Sequence, residues 1–232
     1  MAVGNVLREV CAAVGLSTPT AFFSAASSTI RKWQQLQLLT NEAARMIAGG
    51  FDWQGLRKVA QLAGDGSAEG FALPADFGRM LKSANVWSSR YRRDMTHIVD
   101  SDDWLSFEFI TLAPHHGAWT LYSGQMHVQP VMASGDKVKF FYVSNQIARA
   151  GDGTLKAAFT ADEDSFLVDE RLLRLAIVYL WKQMQGQDFA AELADYEIAF
   201  DQATSGDGGS KPVLSGDAPR RGRTAWPGTV AG

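Results

Sequence analysis

DERLLRLAIVYLWKQMQGQDFAAELADYEIAFDQAT, residues 169–204, is the stretch that decides the fold. Leu173, Ile177, Leu180 and Met184 recur at helical spacing, with Leu172, Ala176 and Trp181 beside them. Gly186 interrupts the pattern. Phe189, Leu193, Tyr196 and Phe200 then follow at steps of four, three and four, which brings the helix back. A short break between two apolar faces predicts an antiparallel helical hairpin.

Beyond this hairpin the composition changes. Residues 205–232 are rich in Gly, Ser and Pro, and their large apolar side chains are Val213, Leu214, Trp226 and Val230. Such a segment buries too little surface to offset an ordering entropy of roughly 1–2 kcal/mol per residue. On its own in solution it is expected to lack order. Two parts of it read as docking groups. Lys211, Pro212, Val213 and Leu214 form a short extended stretch suited to a sheet edge or a groove. Arg220, Arg221 and Arg223 precede Trp226, and Arg and Trp are favoured at interface hot spots.

The N-terminal third supplies further helices. Residues 5–14 read as a short amphipathic helix stopped by Gly15, with Cys11 among Val6, Leu7, Val10 and Val14 as a buried thiol. Ser27 or Ser28 is expected to cap a longer helix. Its apolar stripe is Ile30, Trp33, Leu36, Leu39, Ala43, Met46 and Ile47, and Gly49-Gly50 ends it. Between the helical ends the signal is mostly strand. Residues 85–87 and 138–143 are candidates, the latter with Val138, Phe140 and Tyr142 on one face. Residues 119–122 and 126–128 flank Ser123-Gly124-Gln125 as a hairpin. Ser101 followed by Asp102 and Asp103 predicts the start of one short helix. The expected class is α+β: a helical bundle built from both ends (1–72 and 151–204), an inserted β-rich module (73–150) and an extended C-terminal arm (205–232).

Composition narrows the function. The chain has 232 residues, 46% of them hydrophobic, including 13 Phe, 7 Trp and 5 Tyr, so a substantial core can form. A net charge of −3 does not describe a basic nucleic-acid binder. One cysteine cannot close an internal disulfide, which fits a reducing compartment. No run is apolar enough to cross a membrane, and Arg8 and Glu9 interrupt what would be a secretory apolar stretch.

Candidate chemistry is sparse. His115 and His116 are adjacent, so in extended chain they point to opposite faces, and His97 and His127 are distant in sequence; no metal site is expected. Asp100, Asp102, Asp103 and Glu108, and likewise Asp162, Glu163 and Asp164, could be read as paired carboxylates. Helix starts and a solvated helix face account for them instead. No phosphate-binding glycine loop or nucleophile elbow is present, and Gly151-x-Gly153 lacks the rest of a dinucleotide fingerprint. Residues 90–93, Arg-Tyr-Arg-Arg, form a small basic run that reads as a solvated loop or a protein contact. No catalytic residue, cofactor or enzymatic activity is expected.

The order of several short segments carries a resemblance. Leu73-Pro74-Ala75-Asp76-Phe77 is followed by a Trp-containing strand, a basic turn, Asp103-Trp104-Leu105, and a Tyr-Ser-Gly hairpin ending in Gln129-Pro130. Then come Phe141-Tyr142-Val143-Ser144-Asn145, the run from Lys156 to Asp162, Asp169-Glu170-Arg171-Leu172-Leu173, Trp181-Lys182 and Asp207-Gly208-Gly209. From Val6 to about Leu214 this order resembles the head-to-tail adaptor (connector) proteins of tailed bacteriophages. The resemblance implies a structural virion protein at the head–tail junction, assembled in the bacterial host cytoplasm. It implies a dodecameric ring of copies beneath the portal protein, prolonging the DNA channel and giving a downstream tail or neck protein its docking surface. Packaged DNA would pass through without sequence-specific binding. It also implies that the arm, through Lys211 to Trp226, docks on portal subunits. Within the same setting, the competing expectations are a stopper-type or tail-completion protein, or an adaptor with accessory cell-wall hydrolase activity.

Overall fold

Helices from both ends of the chain share one apolar core, and the strands between them build a second. The structure, a computed structural model, describes residues 1–24, 26–109 and 116–208. Helix α1 spans Val3–Val14 and α2 spans Arg31–Gly50. A short α3, Ser101–Phe109, interrupts the strand region, and the C-terminal pair is α4, Glu170–Met184, and α5, Ala190–Asp207. The predicted hairpin is therefore present, and α4 is its buried member. Leu172, Leu173, Ala176, Ile177, Val178, Tyr179 and Trp181 point in nearly every direction around α4, and all are buried. This helix is covered on several sides at once, because α1, α2 and α5 all pack on it. Asp169 caps it, accepting a hydrogen bond from the Leu172 N–H at 2.9 Å.

The helix boundaries differ from the sequence reading in instructive ways. Ser27 and Ser28 do not cap α2. They belong to a one-turn 3-10 helix, Ser27–Thr29, and Ile30 precedes α2 without a side-chain cap. At α3 the cap is Asp100 rather than Ser101, its carboxylate accepting from the Asp102 N–H at 2.8 Å. No helix begins at 162–164, since α4 starts at Glu170. α5 runs through residues expected to open the arm, ending at Asp207.

The strands are β1 Arg57–Ala63, β2 Gly70–Ala72, β3 Phe77–Met80, β4 Trp87–Ser88, β5 Arg93–Asp94 and β6 Thr96–His97. They continue with β7 Ala118–Tyr122, β8 Gln125–Gln129, β9 Lys137–Ser144, β10 Ala148–Arg149, β11 Leu155–Lys156 and β12 Ser165–Phe166. One sheet has the order β1-β9-β4-β5, with β3 also on β9; a second runs β2-β8-β7-β6; β10 joins β11 and β12 in a small third. Strands thus begin at Arg57, before the expected boundary at residue 72. β1 is a strand because it pairs along its whole length with β9, Arg57 opposite Val143 through Ala63 opposite Lys137. The predicted hairpin is β7–β8, turned by Ser123 and Gly124, both at positive φ (51° and 72°).

β9 ties the two cores together. Val138, Phe140 and Tyr142 point inward, as their alternation predicts, and meet Trp119, Met126 and Val128 of the second sheet. At its C-terminal end Val143, from the opposite face, enters the helical core. Among the described residues, helices therefore cover that end of the sheet's outer face.

Candidate partner-docking surfaces

The predicted docking residues Lys211, Pro212, Val213, Leu214, Arg220, Arg221, Arg223 and Trp226 lie outside the described residues. The place from which they depart is well defined. The Gln54 backbone N–H donates to the Asp207 carboxylate at 2.8 Å, and the Gln54 side-chain amide donates to the Asp207 carbonyl. Trp53, the preceding residue, is buried and meets Phe200 of α5 edge to face at 5.7 Å. A hollow of about 170 Å³ opens at this junction, lined by Trp53, Gly55, Leu167, Val168 and Ala203. The end of α5 is thus pinned three residues before β1 begins.

Two of the acidic residues considered for catalysis, Asp162 and Asp164, tie parts of the chain together. Asp162 accepts from the Phe22 and Phe23 N–H groups, at 2.9 and 2.8 Å, and holds the loop before α2 against the C-terminal half. Asp164 is fully buried. It accepts from the Thr160 and Ala161 N–H groups and from the Lys156 ammonium at 2.9 Å. Burial opposes its ionisation, but those donors outweigh burial and lower its pKa. The Asp164 carbonyl also receives the Val3 N–H at 2.6 Å, so this loop anchors the start of α1.

Asp76, inside the Leu-Pro-Ala-Asp-Phe segment, anchors the strands. Its carboxylate accepts from Lys58 of β1 at 2.5 Å, Tyr142 of β9 at 2.8 Å and Ser144 of β9 at 3.0 Å, while its carbonyl takes the Asn145 N–H at 2.9 Å. Burial works against the charge, yet the ammonium and two hydroxyls hold this carboxyl at about 2. Burial, reinforced by the neighbouring carboxylate, pushes the Tyr142 hydroxyl up to about 12. With the Ser144 hydroxyl donating to Asp76 and the Lys58 ammonium shared with Gln146, this group is satisfied internally and has no activated nucleophile.

The histidines do not converge. His97 stacks on Trp119 at 4.0 Å, His127 stacks on Tyr122 at 3.6 Å, and His116 lies 3.0 Å from the Arg93 guanidinium; His115 lies outside the described residues. Burial lowers the pKa of both His97 and His127. Among the described residues no three His, Cys, Asp or Glu side chains come together as a metal site. The basic run is the turn between β4 and β5, with Arg92 at φ 53° and Arg90 over the Tyr91 ring at 5.5 Å. No described helix is long and apolar enough to cross a membrane.

Two surfaces were not singled out in the sequence. One is the outer face of β1, β9 and β4, where Val59, Phe141 and Trp87 stand exposed; the other is the outer face of α5, where Ile198 does. Alternation along β9 already placed Phe141 opposite the buried face, but Val59 needed the β1–β9 pairing. No protein-family model matches this chain, and no curated protein matches it.

Proposed function

We propose that this protein is a structural virion component, a head-to-tail adaptor that binds beneath the portal as a ring and extends the DNA channel. In this reading the N- and C-terminal helices form a bundle, the strand region is an inserted module, and residues 209–232 are the arm that engages the portal. The observation that carries the reading is the order of short segments from Val6 to about Leu214. Two features of the fold support it: helices of both chain ends share one core, and the root of the arm is held at a fixed point by Gln54. Asp76, Asp162 and Asp164 act as internal staples between elements, which favours a structural role.

The mechanism is coupled folding and binding. The free protein is a monomer, and the arm takes its bound form along the portal ring while neighbouring copies pack side by side. Many weak contacts repeated around a ring supply avidity without a large single interface. Electron microscopy of the protein mixed with its portal tests this directly: a ring of added density beneath the portal is expected, and unaltered portal particles would refute it. Truncation after Gly209 retains all of α5 and is expected to leave a folded monomer that no longer binds. Normal portal binding by that truncated protein would remove the arm from the mechanism.

A further inference from the structure

Two exposed apolar faces of opposite charge are unpartnered among the described residues. On the β1–β9–β4 sheet, Val59 (56% exposed) lies directly across from Phe141 (51%). Trp87 (54%) lies across from Lys139, the next outward residue along β9. Arg57, Lys137 and Lys139 stand exposed on this face, near the carboxylate of Asp94, which pairs opposite Trp87, while Asp52 is engaged by Arg79. On α5, Ile198 (57%) is central to the outward face. Asp195 and Asp201 stand about one turn to either side, Glu197 is adjacent, and the helix contains no basic residue. Glu192 and Asp207 are engaged by Lys182 and Gln54, whereas Asp195, Glu197 and Asp201 form no ion pair among the described residues.

We infer that a second copy of this chain covers these faces, α5 of one protomer lying on the β1–β9–β4 face of the next. The inference deepens the ring reading of the proposed function and rests on it for the claim that copies associate. On the sheet face, charge favours this occupant over the chain's own C-terminal segment. That segment carries Lys211, Arg220, Arg221 and Arg223 against Asp217, and on the sheet face it would meet like charge. Ile198 supplies an apolar centre, the three apolar side chains of the sheet receive it, and carboxylates and cations surround the contact. Because helix and sheet are different surfaces, the contact is heterologous. Each copy offers one face of each kind, the arrangement that generates a ring when the rotation between copies closes.

The test is cross-linking of full-length protein without portal. V59C and I198C proteins are mixed at high concentration under mild oxidation, and the product is mapped by mass spectrometry. Cys11 is buried and does not compete. The disulfide between the two introduced positions is expected at a yield about tenfold above that obtained when D152C, on an exposed turn, replaces V59C. A yield equal to the control overturns the inference. Adding R57E and K139E to the V59C protein is expected to suppress the cross-link, and adding D195K and D201K to the I198C partner is expected to restore it. Suppression without restoration also overturns the inference. Portal binding is measured separately: cross-linking without portal binding removes the adaptor reading and leaves this interface, and portal binding without cross-linking does the reverse.

Discussion

Replacing Asp76 with Asn removes one charge at nearly constant volume from the node that joins β1, β9 and the segment before β3. The ordinary carboxyl value is 3.8, and the folded protein holds Asp76 at about 2. That difference corresponds to about 2 kcal/mol of native stability at neutral pH. Asp76 is 17% exposed and Lys58 36%, so solvent screens only the lysine side of the pair appreciably. For a chain of this size the loss lowers Tm by about 4–8 °C. Because the folded carboxyl is depressed, its contribution is complete above the unfolded value of 3.8 and disappears as pH falls through about 2. Urea melts of wild type and D76N are therefore expected to differ by a constant amount from neutral pH down to about pH 4 and to converge toward pH 2. Asp65, Asp152, Asp164 and Glu192 are also depressed, but they are common to both proteins and cancel in the difference. Equal stability at pH 7, or a gap that persists unchanged at pH 2, would refute the assignment of Asp76 as the charged anchor.

Other consequences can be measured with the same equipment. Leu173 is fully buried at the centre of α4, and L173A is expected to cost about 2–5 kcal/mol in urea melts. G49A and G55A should act with opposite sign. A methyl at Gly49 meets nothing within 4 Å on an exposed helical turn and stabilises by about 0.5–1 kcal/mol, whereas at Gly55 it would lie 2.8 Å from the Leu167 carbonyl and destabilise by about 1–3 kcal/mol. Burial raises the Cys11 thiol pKa, so a thiol reagent is expected to label native protein far more slowly than urea-unfolded protein. Equal rates would show that α1 is not packed as described.

What the sequence made legible was whatever repeats within one element. The spacing of Leu173 and Ile177 gave α4, and the alternation of Val138, Phe140 and Tyr142 gave the inner face of β9. What it concealed depends on partners far along the chain. Asp162 resembled a helix start because its actual donors, the Phe22 and Phe23 N–H groups, lie about 140 positions away. β1 has a small residue, Ala60, on its buried face, so its own pattern is weak and pairing with β9 makes it a strand. Ser205 and Gly206 read as the beginning of the arm, since neither favours a helix. They are helical because Asp207 is held at Gln54 and Phe200 packs on Trp53. The docking residues from Lys211 to Trp226 lie outside the described residues, and the root, Asp207 held by Gln54, depends on a partner 153 positions away that no local pattern marks.

The fixed root has a consequence for assembly. α4 is surrounded by α1, α2 and α5, β9 contributes to both cores, and Gln54 joins the end of α5 to the approach of β1. The acidic face of α5 and the cationic face of the sheet are therefore carried on one interlocked framework. In the proposed ring, every contact then imposes the same rotation between copies, and only a constant rotation lets a head-to-tail chain close. The charges on both faces are exposed, so their attraction is screened over roughly 8–10 Å at ordinary ionic strength. In the proposed ring, a contact of that strength, with a small apolar centre, holds two free monomers only transiently and at high concentration. It becomes sufficient when a symmetric template raises the local concentration of copies and each one is gripped on both sides. In the proposed assembly, self-association that is weak alone and strong on a template would keep the protein from polymerising before its ring of partners exists.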